Sequence, residues 1–81
     1  MKLQVRLFAV ARQLAGVDQV TLDVPEPCTA NQLREVLARE VPVLEAVLPQ
    51  ILFAVNSEYV QGNAVIPRDA EVACIPPVSG G

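Results

Sequence analysis

The end of the chain carries the residues with the most distinctive chemistry. The last six residues are Pro76, Pro77, Val78, Ser79, Gly80 and Gly81. Because glycine lacks a side chain, the final pair lets the backbone approach another surface closely and thread a narrow slot. The two prolines end a preceding strand and favour an extended exit. We therefore predict that residues 76–81 form a flexible tail whose reactive group is the α-carboxylate of Gly81.

A carboxylate is a poor electrophile, so Gly81 must be activated before it reacts. The simplest route uses ATP to form an acyl-adenylate, from which a sulfur nucleophile displaces AMP and leaves a thiocarboxylate. The chain has no histidine, so its two cysteines, Cys28 and Cys74, have no imidazole to activate them. We therefore expect a chain that is not catalytic alone and binds no cofactor. A separate activating enzyme would use the ATP.

Composition and charge narrow the class of protein. With 81 residues, of which 52% are hydrophobic, the chain suits one globular domain with a modest core. The net charge is −3 and the six basic residues form no run, which argues against a nucleic-acid partner. No stretch approaches the roughly 18 apolar residues of a membrane span, and the N-terminus lacks a signal-peptide block. Because both cysteines fit as reduced, semi-apolar core residues, we expect a cytoplasmic protein without a membrane partner.

Hydrophobic periodicity predicts the elements of an α+β domain. The predicted strands are residues 2–8, 19–24, 51–55, 58–60 and 71–75. A short helix is expected over 9–15, and a capping box at Thr29 and Gln32 opens the main helix, which ends near Val41. Residues 43–48 suit one or two further helical turns. A mixed sheet with the main helix across one face satisfies this order, which is the β-grasp or ubiquitin-like roll, as a single domain over residues 1–81.

Three apolar residues are candidates for an exposed contact surface. Leu3, Val5 and Leu7 share the inner phase of the first strand, whereas Phe8 and Ile75 fall on the polar phase of their strands. The first and last strands are neighbours in a β-grasp sheet, so these two side chains should lie close, and Tyr59 can join them. Clustered exposed apolar residues tend to mark interfaces. The alternative is a set of scattered surface residues, which is common.

Several segments resemble one known family along the whole chain. They are Leu7-Phe8-Ala9, Arg12-Gln13-Leu14-Ala15-Gly16, Ala54-Val55-Asn56, Glu71-Val72-Ala73 and the final six residues. With these, the chain resembles the small, sulfur-carrying subunit of molybdopterin synthase. One departure is Arg68-Asp69-Ala70, where family members often have Asp-Gly-Asp in a turn. Asp69 must therefore take the place of a glycine, which puts the geometry of that turn in question.

The resemblance implies a mechanism and a set of partners. A ubiquitin-activating-like adenylyltransferase would adenylate Gly81 with ATP, and a desulfurase-type donor would supply sulfur derived from cysteine. The tail would then insert into the large subunit of molybdopterin synthase and give sulfur to cyclic pyranopterin monophosphate, so that two transfers build the dithiolene. The family assembles as a heterotetramer. In it, the positions of Phe8, Tyr59 and Ile75 contact the partner proteins, as do the tail residues.

Other functions use the same residues. A carrier that feeds thiazole synthesis or RNA thiolation would use the same terminal chemistry. A ubiquitin-like protein modifier would form isopeptide bonds through Gly81, although a single lysine, Lys2, argues against polymer chains. An inert interaction module would tolerate removal of the last two residues.

Overall fold

The computed structural model describes residues 1–77, which form two α-helices, two 3-10 turns and five strands. In chain order these are β1 (Lys2–Leu7), α1 (Ala9–Ala15), β2 (Gln19–Asp23), α2 (Ala30–Glu40), the 3-10 turns Pro42–Leu44 and Leu48–Gln50, β3 (Leu52–Val55), β4 (Glu58–Tyr59) and β5 (Val72–Ile75). The five strands form one sheet in the order β2-β1-β5-β3-β4. β1 and β5 pair in parallel, and the other neighbours are antiparallel. The predicted α+β fold with a mixed sheet is confirmed.

The core lies between the inner face of the sheet and α2. Leu3, Val5 and Leu7 on β1 are almost completely buried, as the alternating pattern predicts. From the other side, α2 contributes a buried stripe of apolar residues, namely Ala30, Leu33, Val36 and Leu37. This two-layer arrangement leaves the opposite face of the sheet exposed.

The predicted capping box starts α2. The Thr29 hydroxyl accepts a hydrogen bond from the Gln32 amide at 3.2 Å, and the Gln32 side-chain oxygen accepts one from the Thr29 amide at 2.8 Å. The loop after β4 supports the same turn, because the Asn31 amide donates to the Gly62 carbonyl at 2.8 Å. These bonds satisfy amides that have no partner within the helix.

The segment after α2 differs from the prediction. Instead of one or two α-helical turns over 43–48, the chain forms two separate 3-10 turns, each with a proline at its first or second position. Proline lacks the amide that a continuous helix requires, so Pro42 and Pro49 restrict the segment to short, tight turns. Arg34 fixes the second turn, because its guanidinium donates to the carbonyls of Leu48 and Ile51. The same guanidinium lies 5.0 Å from the centre of the Phe53 ring.

Two turns, one between β3 and β4 and one before β5, contain residues with positive φ. Asn56 and Ser57, at φ 51° and 71°, connect β3 to β4 as a two-residue hairpin loop. Asp69 has φ 63°, so it does occupy the left-handed position expected of it. The Asn56 side-chain oxygen accepts a hydrogen bond from the Glu71 amide at 3.0 Å. This bond fixes the start of β5, the strand that leads to the end of the chain.

Candidate functional site

The exposed face of the sheet contains an apolar surface, which we call the outer patch and define as Phe8, Leu52, Tyr59 and Ile75. Phe8 is 43% exposed and Tyr59 is 66% exposed, while Ile75 is half-buried between its neighbours. Phe8, Tyr59 and Ile75 line one shallow depression of about 280 Å³. The three residues selected from the sequence therefore lie together. Their contact with a partner stays a prediction.

Strand register explains why the outer patch forms. The Phe8 amide donates to the Cys74 carbonyl at 3.3 Å, which places Phe8 beside β5 after β1 has ended. One cross-strand row runs from Tyr59 through Ala54 to Ala73. Because both alanines are small, they form a low floor between the larger side chains at the rim.

Leu52 was not selected from the sequence. It is 51% exposed and pairs directly with Ile75 across β3 and β5. Residues 51–55 read I-L-F-A-V, a continuous apolar run that hides the alternation on which a face assignment depends. Placing the large Phe53 inward would have put Leu52 outward, since neighbouring residues of a strand point to opposite faces.

A charged pair borders the apolar surface. The Arg6 guanidinium lies 3.4 Å from a carboxylate oxygen of Glu71, and both side chains are exposed. Glu71 also lines the depression in the outer patch. Exposed pairs of this kind contribute little to stability. An apolar centre with a charged rim is nevertheless the usual composition of a protein interface.

The two prolines that follow β5 have different environments. Pro76 is buried and Pro77 is exposed. Both were predicted to contact a partner, but the chain's own residues cover Pro76, so Pro77 offers the accessible surface. The other predicted tail residues, Val78, Ser79, Gly80 and Gly81, lie outside the described residues. Their roles stay predictions.

Another surface depression lies outside the outer patch, along α1 and the turn that follows it. It measures about 690 Å³ and is lined by Ala9, Arg12, Gln13, Gly16, Val17 and Asp18. All six residues are exposed, and none of the polar or charged residues in 1–77 is buried.

Within the described part of the chain, no group of three or more His, Cys, Asp or Glu side chains is placed to hold a metal ion. In the same part, the helices are too short or too polar to span a membrane.

The two cysteines belong to the core rather than to the exposed face. Cys28 and Cys74 are free thiols and are fully buried. Burial raises the pKa of both thiols, and that of Cys74 reaches about 12. Because the thiolate is the reactive form, this environment suppresses nucleophilic reactivity at neutral pH.

We expect iodoacetamide to leave Cys74 unmodified in the folded protein at pH 8. With a pKa of about 12, roughly one thiol in ten thousand is ionised at that pH. Unfolding removes the burial, so the same reagent should label both cysteines in denaturant. Peptide mass spectrometry reads out each site separately. Equal labelling rates for Cys74 in native and denatured protein would contradict this placement.

Comparison with known proteins places the chain in a family. The family model described as the ThiS family matches residues 5–81. The molybdopterin synthase sulfur carrier subunit of Arabidopsis thaliana is 38% identical over 81 residues, which cover 100% of this chain and 84% of that protein. The protein of the same name from Homo sapiens is 39% identical over 84 residues, which cover 99% of this chain and 94% of that protein.

Solved structures have the same fold. A putative molybdopterin converting factor, subunit 1, from Pyrococcus furiosus superposes with a TM-score of 0.83 at 28% identity, covering 96% of this chain and 99% of that chain. The small archaeal modifier protein 1 of Haloferax volcanii gives a TM-score of 0.84 at 25% identity, covering 95% and 98%. The chain therefore belongs to the ThiS family, and to the same family as the molybdopterin synthase sulfur carrier subunits.

Proposed function

We propose that this chain is the sulfur carrier subunit of molybdopterin synthase and that its C-terminal Gly81 carries the sulfur. The observation that supports this most strongly is the family match, which runs through Gly80 and Gly81. The curated relatives named as such sulfur carriers align over nearly the whole chain. The buried, weakly ionised thiols of Cys28 and Cys74 are unsuited to carry sulfur themselves.

The proposed cycle uses the carboxylate of Gly81 in three steps. An ATP-dependent, ubiquitin-activating-like adenylyltransferase joins a Gly81 carboxylate oxygen to the α-phosphorus of ATP and releases pyrophosphate. Sulfur at the level of hydrosulfide then attacks the acyl carbon and displaces AMP, so that a C–S bond replaces the C–O bond to AMP and a thiocarboxylate remains. In the large subunit of molybdopterin synthase, that sulfur bonds to cyclic pyranopterin monophosphate, and water then cleaves its bond to the acyl group and restores the Gly81 carboxylate. Two such transfers complete the dithiolene. Two carriers would occupy the ends of a heterotetramer in the cytoplasm.

The outer patch and the chain end have separate tasks in this proposal. The patch docks on the partner, while the final residues reach the reacting atoms. Ile75 belongs to the patch and ends β5, and only Pro76 and Pro77 separate it from the last four residues. Four residues span at most about 14 Å when fully extended. One partner can therefore hold the patch and receive Gly81 within a short distance.

Protein isolated from its own cells should contain a fraction in which sulfur replaces one terminal oxygen of Gly81. Intact-mass spectra would show this replacement, and C-terminal fragment spectra would locate it at Gly81. Alkylation of the folded protein, in which Cys74 is protected by burial, should then add one group to the C-terminal fragment that carries the sulfur. Complete absence of sulfur on Gly81, in cells that are making the cofactor and contain the activating enzyme, would refute the carrier function.

A protein modifier is the second candidate, supported by the similarity to the small archaeal modifier protein 1. Such a modifier would leave Gly81 joined to lysines of other proteins. Searching digested cell protein for lysines that carry a C-terminal fragment of this chain distinguishes this function from a carrier. A carrier for thiazole synthesis or RNA thiolation would share the thiocarboxylate. Co-purification of the large synthase subunit separates molybdopterin synthesis from these alternatives.

A further inference from the structure

The backbone amide and carbonyl groups of successive β5 residues form hydrogen bonds alternately with β3 and with β1. The Asn56 amide donates to the Glu71 carbonyl at 2.8 Å, so Glu71 pairs with the β3 side. With the observed register, Ala73 and Ile75 pair with β3 in the same way. The Phe8 amide donates to the Cys74 carbonyl, so the even-numbered residues of β5 pair with β1. Continuing this alternation, the nitrogen of residue 76 faces β1 and that of residue 77 faces β3.

On the β1 side, the acceptor that residue 76 would use is already occupied. The parallel ladder would direct an amide at 76 towards the Phe8 carbonyl. That carbonyl already accepts hydrogen bonds from the Ala11 amide at 3.1 Å and the Arg12 amide at 3.4 Å, at the start of α1. Pro76 has no amide hydrogen, so it fits this buried position without an unsatisfied donor.

On the β3 side, the observed pairing ends at Leu52 and Ile75, and counting two residues further brings residue 77 level with Gln50, the last residue of the 3-10 turn Leu48–Gln50. The Gln50 amide already donates to the Val47 carbonyl, so the one hydrogen bond that could form beyond this pair runs from an amide at residue 77 to the Gln50 carbonyl. Pro77 removes that donor. Because its side chain is exposed, this residue is not needed to fill the core.

We propose that Pro76 and Pro77 are positioning residues that end β5. Pro76 withholds a hydrogen-bond donor from the β1 side, and Pro77 withholds one from the β3 side. Pairing in the described part of the chain then ends at Ile75, and neither proline offers an amide hydrogen through which the sheet could extend. The proposal rests on the proposed function only where it assigns entry of Gly81 into a partner's slot. It predicts that restoring a single amide hydrogen at residue 77 impairs activation without harming the fold.

The test compares two residues at position 77 that differ only in the amide hydrogen. Pro77→Ala introduces the donor, and Pro77→N-methylalanine keeps the alanine side chain without it. Native Cys74 allows all three proteins to be made by ligating a thioester of residues 1–73 to a synthetic peptide of residues 74–81. The wild-type sequence prepared by the same route is the reference.

For Pro77→Ala, we expect slowed hydrogen exchange at the new amide, an unchanged or higher denaturant midpoint, and a KM for the activating enzyme raised about fivefold. That factor corresponds to breaking one net hydrogen bond before entry. N-methylalanine should restore the wild-type KM. Exchange at the new amide as fast as in an unfolded peptide, or equal KM values for the two variants, would overturn the proposal. If the ligated wild type is not adenylated at all, the proposed function fails. The hydrogen-exchange measurement then still tests whether Pro77 ends the pairing of β5.

Discussion

One alanine added after Gly81 is expected to abolish sulfur transfer and leave the free energy of unfolding unchanged. The addition moves the reacting carboxylate by roughly 3.5 Å along the chain. A displacement near 1 Å can already reduce a rate about a hundredfold. The added methyl group would also enter a slot that suits glycine. The fold should not respond, because the last strand ends at Ile75.

The matched control is Gly81→Ala, which adds the same methyl group but keeps the carboxylate at its position along the chain. We expect this variant to be impaired less than the extended one. Adenylation, thiocarboxylate formation and product synthesis are measured in turn for both variants and the wild type, together with denaturant unfolding. Full activity of the extended protein, with its extra residue confirmed by mass spectrometry, would exclude Gly81 as the reactive end.

Local sequence signals were sufficient for much of the fold. The alternating residues of β1 identify its buried face, and the Thr29–Gln32 capping box fixes the start of α2, because both signals depend on residues close together in the chain. The same local character explains Asp69, whose left-handed conformation follows from the demands of a single turn. Signals of this kind require no knowledge of the neighbouring elements.

Features that depend on packing between distant segments were harder to predict. Leu52 belongs to the outer patch because Ile75 lies opposite it, and nothing in the apolar run of β3 shows that pairing. Pro76 is buried by neighbours that only the folded chain supplies. The turns at Pro42 and Pro49 are separate 3-10 turns because each proline interrupts the amide pattern, whereas the sequence predicted one or two further helical turns over 43–48.

The candidate site has two parts, the outer patch and the reactive chain end, and the sequence predicted them by different reasoning. Phe8, Tyr59 and Ile75 were brought together from strand phase and an expected strand order, and the structure confirms that they line one depression. The reactive end was predicted from residue type, because Gly80 and Gly81 allow close approach of the backbone to a partner and the two prolines favour an extended exit. That part of the site lies outside the described residues, so its chemistry is decided by the experiments on Gly81.

Phe8→Asp is expected to weaken binding to the large synthase subunit and to the activating enzyme by about thirtyfold while leaving the fold intact. Loss of a central apolar contact at an interface costs about 2 kcal/mol or more, which corresponds to this factor. The fold should tolerate the change, because Phe8 is exposed and occupies the N-cap position of α1 without a side-chain capping bond. Aspartate is a favourable residue at an N-cap. Ile75→Asp should also weaken binding.

Two control variants separate docking from folding and from charge. Leu7→Ala removes a side chain that is only 1% exposed and should lower the free energy of unfolding by about 2–5 kcal/mol. Val65→Asp introduces the same charge at an exposed apolar residue that pairs with Thr29, away from the outer patch, and should leave binding unchanged. Calorimetric binding and denaturant unfolding are measured for every variant. If Phe8→Asp destabilises the fold as much as Leu7→Ala, or if Val65→Asp weakens binding equally, the outer patch is not the docking surface.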